Sequence, residues 1–421
     1  MPTSTLRWLD HDTEQARRSA ELVRALSEPD TVDSLGVGAI RDGFANLFFP
    51  GTSTIQTRVR YFLLTPWALQ QTAARRPRDR AQYDRFLNDI ETATITSLMS
   101  GNPGELGIIG RQRGRNTKRK AVSVYWTGIG EWGIRVADDL TMSGYRSYVL
   151  TRRGHEGTDG DVGDGVDFQV WDEMPRPPEF FPELPIDILP TATEAEYLLS
   201  RMSRTTPGGR GHGVSDAALS LLAGVAKEPH TADADWLWDL PASAIPEGLA
   251  TAVGHAELFS LAIQGARLRY LQLLFAAQRR EGLPPADGEP VLEVLVQDWV
   301  QKASSAIDEL RTWVPELPEL FDLLRRFGTH VGEPTRRFVT GWCRAAIDDP
   351  ADAMRSDVTA ARVTERELLL KSPNARLAGG SALRAWDGSL FGASQLDYRW
   401  SVAQRMIRDC RTGMETDNAG A

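Results

Sequence analysis

The apolar residues between Leu258 and Ala277 fall at positions 258, 261, 262, 268, 271, 274 and 275, the three- and four-residue spacing of one face of an α-helix. Gln264, Arg267, Arg269 and Gln272 interrupt the run, and each would be costly in a bilayer core. The segment is therefore expected as a buried helix of a large core, not as a membrane span. The same spacing continues on both sides of it. It predicts helices over 193–203, 214–226, 247–280, 291–312, 317–327, 335–347, 352–370 and 400–411, punctuated by Gly282-Leu283-Pro284-Pro285 and Gly332-Glu333-Pro334. A chain of 421 residues, 41% hydrophobic and 25% charged, has length for more than one such core, and its composition excludes collagen and wholesale disorder.

The first third reads differently. Helices are expected over Thr13–Leu26, over Ser53–Ala74, and over Arg80–Met99, the last stopped by Gly101-Asn102-Pro103-Gly104. The second is entered through Gly51-Thr52-Ser53, hydroxyl residues of the kind that cap helices, and Pro66 should kink or end its regular part. The period then changes. Leu106–Gly110 and Ala121–Trp126 are short β-rich runs joined by a polar segment, which predicts a hairpin. A short helix over Ile134–Leu140 and a strand over Ser147–Thr151 should follow. The expected fold class is mainly α with a small β component (α+β): an N-terminal helical module with a basic, winged-helix-like β-hairpin, then a larger all-α domain.

The net charge of −9 conceals a polarity. Residues 1–153 hold 22 Lys+Arg and 16 Asp+Glu, whereas residues 154–421 hold 26 and 41. Acidic residues and Pro175, Pro177, Pro178, Pro182, Pro185 and Pro190 crowd into 154–196, where Arg176 is the single basic residue. Repelling charges and missing amide donors predict a linker there. The expected domains are 1–153, a linker over 154–191, and 192–421.

The segment joining the two β-rich runs carries Arg111, Arg113, Arg115, Lys118, Arg119 and Lys120 among ten residues and no carboxylate. Such a segment can meet several phosphates and release their counterions, giving salt-dependent affinity with little sequence preference. The alternatives ranked below this are pairing with the acidic linker or a protein, and then a solvated surface loop. These six residues are the candidate nucleic-acid-binding set, with duplex DNA as the expected partner.

The run from Gly38 to Phe62, with Ile40-Arg41-Asp42-Gly43-Phe44 and Leu47-Phe48-Phe49-Pro50-Gly51-Thr52 at its centre, resembles an uncharacterised bacterial family, domain of unknown function 6361. Val124-Tyr125-Trp126-Thr127-Gly128, Trp132-Gly133-Ile134-Arg135 and Leu396-Asp397-Tyr398-Arg399-Trp400 are similar to the same family. The resemblance implies a component encoded among restriction and anti-phage genes, near helicases and phospholipase-D-like proteins. It brings no catalytic residues.

Other motifs carry less. Gly128-Ile129-Gly130-Glu131-Trp132-Gly133 matches GxGxxG after a strand-like run, and Arg152-Arg153 lies where a dinucleotide-binding fold could hold a 2′-phosphate. The helix after it is too short, and no further βαβ unit follows, so a glycine-rich turn with Trp126 and Trp132 in the core is the favoured reading. Asp159, Asp161, Asp164, Asp167 and Asp172 miss the EF-hand spacing and read as a solvated acidic loop or as a nucleic-acid mimic that shields the basic hairpin. The six histidines are scattered, and HExxH, GxSxG and GxxxxGK[ST] are all missing. Arg362, Arg366, Lys371 and Arg376 alternate with Glu365 and Glu367, reading as a solvated helix face or a second phosphate-contacting surface. Cys343 and Cys410 form no CxxC pair, and Met1–Asp12 has no signal-peptide pattern, so a cytoplasmic location is expected.

The function expected from these features is a non-catalytic DNA-binding or adaptor subunit of a bacterial defence or restriction system, with a helicase or nuclease as protein partner. No membrane, catalytic residue, metal ligand or cofactor is assigned. Two alternatives stand beside it: a divergent metal-dependent nuclease using carboxylates such as Asp159–Asp172 and Glu173, and a protein-interaction scaffold that binds no nucleic acid.

Overall fold

A computed structural model describes residues 33–155, 169–210, 218–284 and 287–420. Its helices, in chain order, are α1 (Gly38–Phe48), α2 (Tyr61–Ala74), α3 (Arg80–Gly101), α4 (Ala121–Glu131), α5 (Met142–His155), α6 (Ala192–Met202), α7 (Leu221–Lys227) and α8 (Ala250–Arg280). They continue as α9 (Gly288–Ser305), α10 (Ile307–Trp313), α11 (Leu317–Arg326), α12 (Glu333–Asp348), α13 (Pro350–Ala353), α14 (Asp357–Lys371), α15 (Gly380–Arg384) and α16 (Trp400–Gly420). The expected helix over Thr13–Leu26 lies outside the described residues.

The fold is all-α, which corrects the expected α+β class. Among the described residues the β-type pairing is one isolated antiparallel bridge, Arg135 with Trp171. The basic β-hairpin does not form: residues 106–117 run through turns and a 3-10 turn at Gly114–Asn116, and Ala121–Trp126 begins helix α4. The Ser147–Thr151 segment is helical, inside α5, and Ile134–Leu140 is irregular. The cause is a polar face too narrow to register. Val122, Val124, Tyr125, Trp126, Gly128, Ile129 and Gly130 are buried on one eleven-residue helix and Ser123 and Thr127 are exposed, so β-branched and aromatic residues dominate the local pattern.

The chain divides into two compact units, Met1–Asp42 with Thr251–Asp397, and Gly43–Ala250 with Tyr398–Ala421. The first is built around α8. Its buried face accepts indole donors from neighbouring helices, Trp299 Nε1 to Leu261 O and Trp342 Nε1 to Ala262 O, both at 2.8 Å. Gly265 leaves the space that the Trp299 ring fills, since a Cβ there would lie 2.2 Å from the ring. Two of the polar residues that break the apolar run donate to backbone carbonyls. Gln264 Nε2 donates to Ala393 O at 3.0 Å, and Arg269 Nη2 to Ser356 O at 3.1 Å. Among the described residues, no helix is long and apolar enough to cross a membrane.

In the second unit α2 packs on α3 and α4, and α6 packs on α16. Helix α2 starts at Tyr61, eight residues later than expected, and runs on through Pro66 to Ala74. The hydroxyl-rich entry is a turn instead, in which Thr52 Oγ1 donates to Phe49 O at 2.6 Å. Helix α3 is capped as its sequence requires, by Asp79 accepting from Gln82 N at 2.8 Å and by Asn102 Nδ2 donating to Leu98 O at 2.8 Å. The Pro-rich stretch after Gln169 packs into this unit, burying Val170, Phe181, Ile186 and Ile188.

Candidate nucleic-acid interface

The loop that carries the candidate residues is anchored at its start. Thr57 Oγ1 donates to Gly107 O at 2.6 Å, Ile109 N donates to Tyr61 Oη at 2.9 Å, and Ile108 is buried. Gly110 has φ +87° and a Cβ there would lie 2.6 Å from Ile95 Cδ1, so only glycine fits where the loop turns. Gly114 N then donates to Gly110 O at 2.7 Å, and Thr117 Oγ1 to Gly114 O at 2.7 Å, which closes the turn on itself.

The structure separates the six candidate cations into two groups. Arg111 Nη1 donates to Glu105 O, within the loop. Arg115 Nη2 lies 3.0 Å from the Asp89 carboxylate on α3, an exposed pair. Lys120 Nζ reaches Asn88 Oδ1 and, at 3.6 Å, Glu91 on the same helix. Burial pushes the Glu91 carboxyl up from its ordinary range, and Lys120 opposes that shift. Arg113, Lys118 and Arg119 are exposed and make no ion pair or side-chain hydrogen bond among the described residues. Arg115 and Lys120 take their partners from α3, whereas the partner of Arg111 lies in the loop itself. Of the acidic linker, residues 156–168 lie outside the described residues.

Arg75, Arg78, Arg80 and Arg85, at the end of α2 and the start of α3, are exposed as well. Because Asp89 and Glu91 hold the loop against the middle of α3, and each helical residue rises about 1.5 Å, Arg85 sits within about two turns of the loop. The loop thus lies beside the first turns of α3, where Arg80 pairs with Asp84 at 3.6 Å.

The glycine motif has a packing role. Gly128 and Gly130 lie in the second half of α4, not in a turn after a strand. A Cβ on Gly128 would come 2.4 Å from Gly51 O, and one on Gly130 would come 2.3 Å from the Arg135 guanidinium. Arg135 is buried, lies 5.0 Å from the Trp126 ring centroid and donates to Asp138 O at 2.9 Å. Trp126 and Trp132 are buried core residues, Trp132 stacking on Phe62 at 3.6 Å between ring centroids. The glycines thus let helix and arginine approach, where a dinucleotide fold would aim them at a pyrophosphate.

The carboxylates considered for metal chemistry separate too. Asp159, Asp161, Asp164 and Asp167 lie outside the described residues. Asp172 accepts from Tyr197 Oη at 3.1 Å and Arg201 Nη1 at 2.9 Å, a structural pair in the second unit. Among the described residues no group of three His, Cys, Asp or Glu could hold a metal ion. In the C-terminal charge series Arg366 and Glu367 are buried, so the solvated-face reading fails for both. Arg366 Nε donates to Leu35 O at 2.8 Å and Nη2 to Thr335 Oγ1 at 2.7 Å.

In the second unit, parts of the segments that carry the family resemblance pack together. Phe48 and Phe49 meet Tyr398 and Trp400 at ring-centroid distances of 6.4 and 5.7 Å, and Phe62 meets Tyr125 at 5.0 Å. Tyr125 Oη ties the pieces together, accepting from Thr57 N at 2.8 Å and Arg58 N at 3.1 Å. Burial drives its phenol up to about 12. Neither a curated protein nor a solved structure matches the chain. A family model does match it across residues 3–412, and the chain belongs to that family of unknown function, DUF6361.

Proposed function

We propose that the protein is a non-catalytic nucleic-acid-binding or adaptor subunit of a bacterial anti-phage or restriction system, acting in the cytoplasm. Arg113, Lys118 and Arg119 contact the phosphates of duplex DNA in this reading, while Arg111, Arg115 and Lys120 shape and hold the loop that presents them. The observation that carries it is that three exposed cations on one anchored loop have no carboxylate partner among the described residues. Counterion release makes such a set a phosphate-binding surface without base readout. The protein partner, a helicase or nuclease, rests on the gene context that the family resemblance implies.

The test is fluorescence anisotropy on a labelled duplex at low and moderate salt. Three phosphate contacts predict that changing Arg113, Lys118 and Arg119 together to Ala reduces the slope of log affinity against log salt by about 2.7. Equal binding by wild type and this variant at both salt concentrations overturns the reading.

A further inference from the structure

The unit formed by Met1–Asp42 and Thr251–Asp397 contains a partly enclosed cavity of 160 Å³. Three stretches far apart in sequence line it: residues 33–41, the middle of α8, and residues 376–396. Each stretch brings a guanidinium, from Arg41, Arg267 and Arg376. Among the lining residues the carboxylate is Asp33, whose oxygens accept from Val37 N at 3.0 Å and Gly38 N at 2.6 Å. Arg41 carries a partner, with its Nε 3.0 Å from Asp42 Oδ1. Arg376 is different: half-buried, its guanidinium has neither ion pair nor hydrogen bond among the described residues.

The cavity is held in shape by hydrogen bonds and close packing around its lining. Glu367, fully buried, accepts from Arg376 N at 3.2 Å, Leu377 N at 2.9 Å and Tyr270 Oη at 2.5 Å, so the turn that carries Arg376 is fixed to α8 and α14. Gly392 has φ +82° and a Cβ there would come 2.7 Å from Arg267 Nη2. Only glycine lets the backbone approach the guanidinium so closely. Arg267 Nη1 donates to Ser394 O at 3.4 Å, which sets its direction. At the mouth stands Phe391, 45% exposed, a large apolar ring left in water beside a cationic recess.

Preset guanidinium groups favour an oxyanion that can accept several N–H bonds at once, and phosphate does this best. An exposed ring at the rim adds a stacking surface for a planar group. We infer that this cavity binds a nucleoside monophosphate, with the phosphate inside against Arg376 and Arg267 and the base outside against Phe391. A phosphate group suits the enclosed volume, and the base remains at the mouth.

The experiment is isothermal titration of the full-length protein with adenosine and guanosine 5′-monophosphates, inorganic phosphate and adenosine. The expected result is saturable nucleotide binding, about tenfold or more tighter than phosphate or the nucleoside. Arg376→Ala should weaken both nucleotide and phosphate by about tenfold or more. Phe391→Ala, at an exposed position, should weaken the nucleotide and leave phosphate unchanged. The Arg113, Lys118 and Arg119 variant should bind nucleotide as wild type does, which separates this site from the proposed DNA surface. Absence of saturable nucleotide binding by wild type, an unchanged Arg376→Ala variant, or phosphate binding as tight as nucleotide overturns the inference.

Discussion

Arg60 Nη2 donates to Glu194 Oε1 at 2.8 Å, with both side chains buried and 134 residues of sequence between them. The same guanidinium donates from Nη1 to Asp187 O at 2.6 Å, and the other Glu194 oxygen accepts from Thr191 N at 3.2 Å in a capping box at the start of α6. One ion pair thereby joins the end of the first family motif to the Pro-rich stretch and to α6.

Removing one partner of this pair strands a buried charge, whereas removing both strands none. Arg60→Met or Glu194→Leu alone should each cost about 3–5 kcal/mol of unfolding free energy. The double variant should cost less than the sum of the two, because the stranded charge that dominates each single change is absent from it. Urea denaturation of the four proteins checks this, and additive losses would refute it.

Lys120 should separate structure from binding on the basic loop. Its ammonium faces Glu91, a buried carboxyl already pushed up by burial, so Lys120→Ala should lower stability by about 1–3 kcal/mol. Arg113, Lys118 and Arg119 touch no partner, and changing them to Ala should stay within about 0.5 kcal/mol. Thermal unfolding of both variants is the measurement; comparable losses in the two would contradict the division.

Gly128→Ala should be destabilising although alanine is the better helix former. A Cβ would meet Gly51 O at 2.4 Å and the Phe62 ring at 2.8 Å, and the first of these is backbone that cannot rotate aside. The overpacking cost of about 1–3 kcal/mol exceeds the propensity gain of about 1 kcal/mol. Gly104→Ala is no control, because its φ is +84°. Gly254→Ala on α8, where a Cβ meets nothing within 4 Å, serves as one and should be neutral or stabilising. Equal behaviour of the two variants in denaturant would rule out the packing role.

His255 gives the first unit a pH dependence. Its Nδ1 accepts from Trp313 Nε1 at 2.9 Å, and burial lowers its pKa below the ordinary value. Protonation is thus harder in the folded chain than in the unfolded one. The stability this contributes is present above about pH 6.5 and is lost as pH falls toward the lowered folded pKa. Denaturation midpoints at about pH 7 and about pH 5 should differ more for wild type than for His255→Gln; an equal pH response in both would remove His255 from the account.

Much of the helical architecture was legible in the sequence. The punctuated three- and four-residue spacing after residue 192 marks helices α6, α8, α11 and α12 closely and the start of α16, which runs on to Gly420 past the expected end at 411, and Gly101-Asn102 marks the end of α3. Where β-branched and aromatic residues crowd a short helix, as over Ala121–Trp126 in α4, they outvote the period and the segment reads as strand.

The six candidate cations were visible as a run of like charges, and Arg376 as one member of an alternating series. Sequence could not divide them, because the division depends on residues brought from elsewhere in the fold. Asp89 and Glu91 engage Arg115 and Lys120 from the neighbouring helix, leaving Arg113, Lys118 and Arg119 exposed. Glu367 and Gly392 place Arg376 and Arg267 around one cavity. Local spacing and charge are properties of consecutive residues, so sequence by itself determined most helices after residue 192 and the cation content. Ion pairing and enclosure are relations between distant residues, and the tertiary structure alone decided which cations face solvent and which face a cavity.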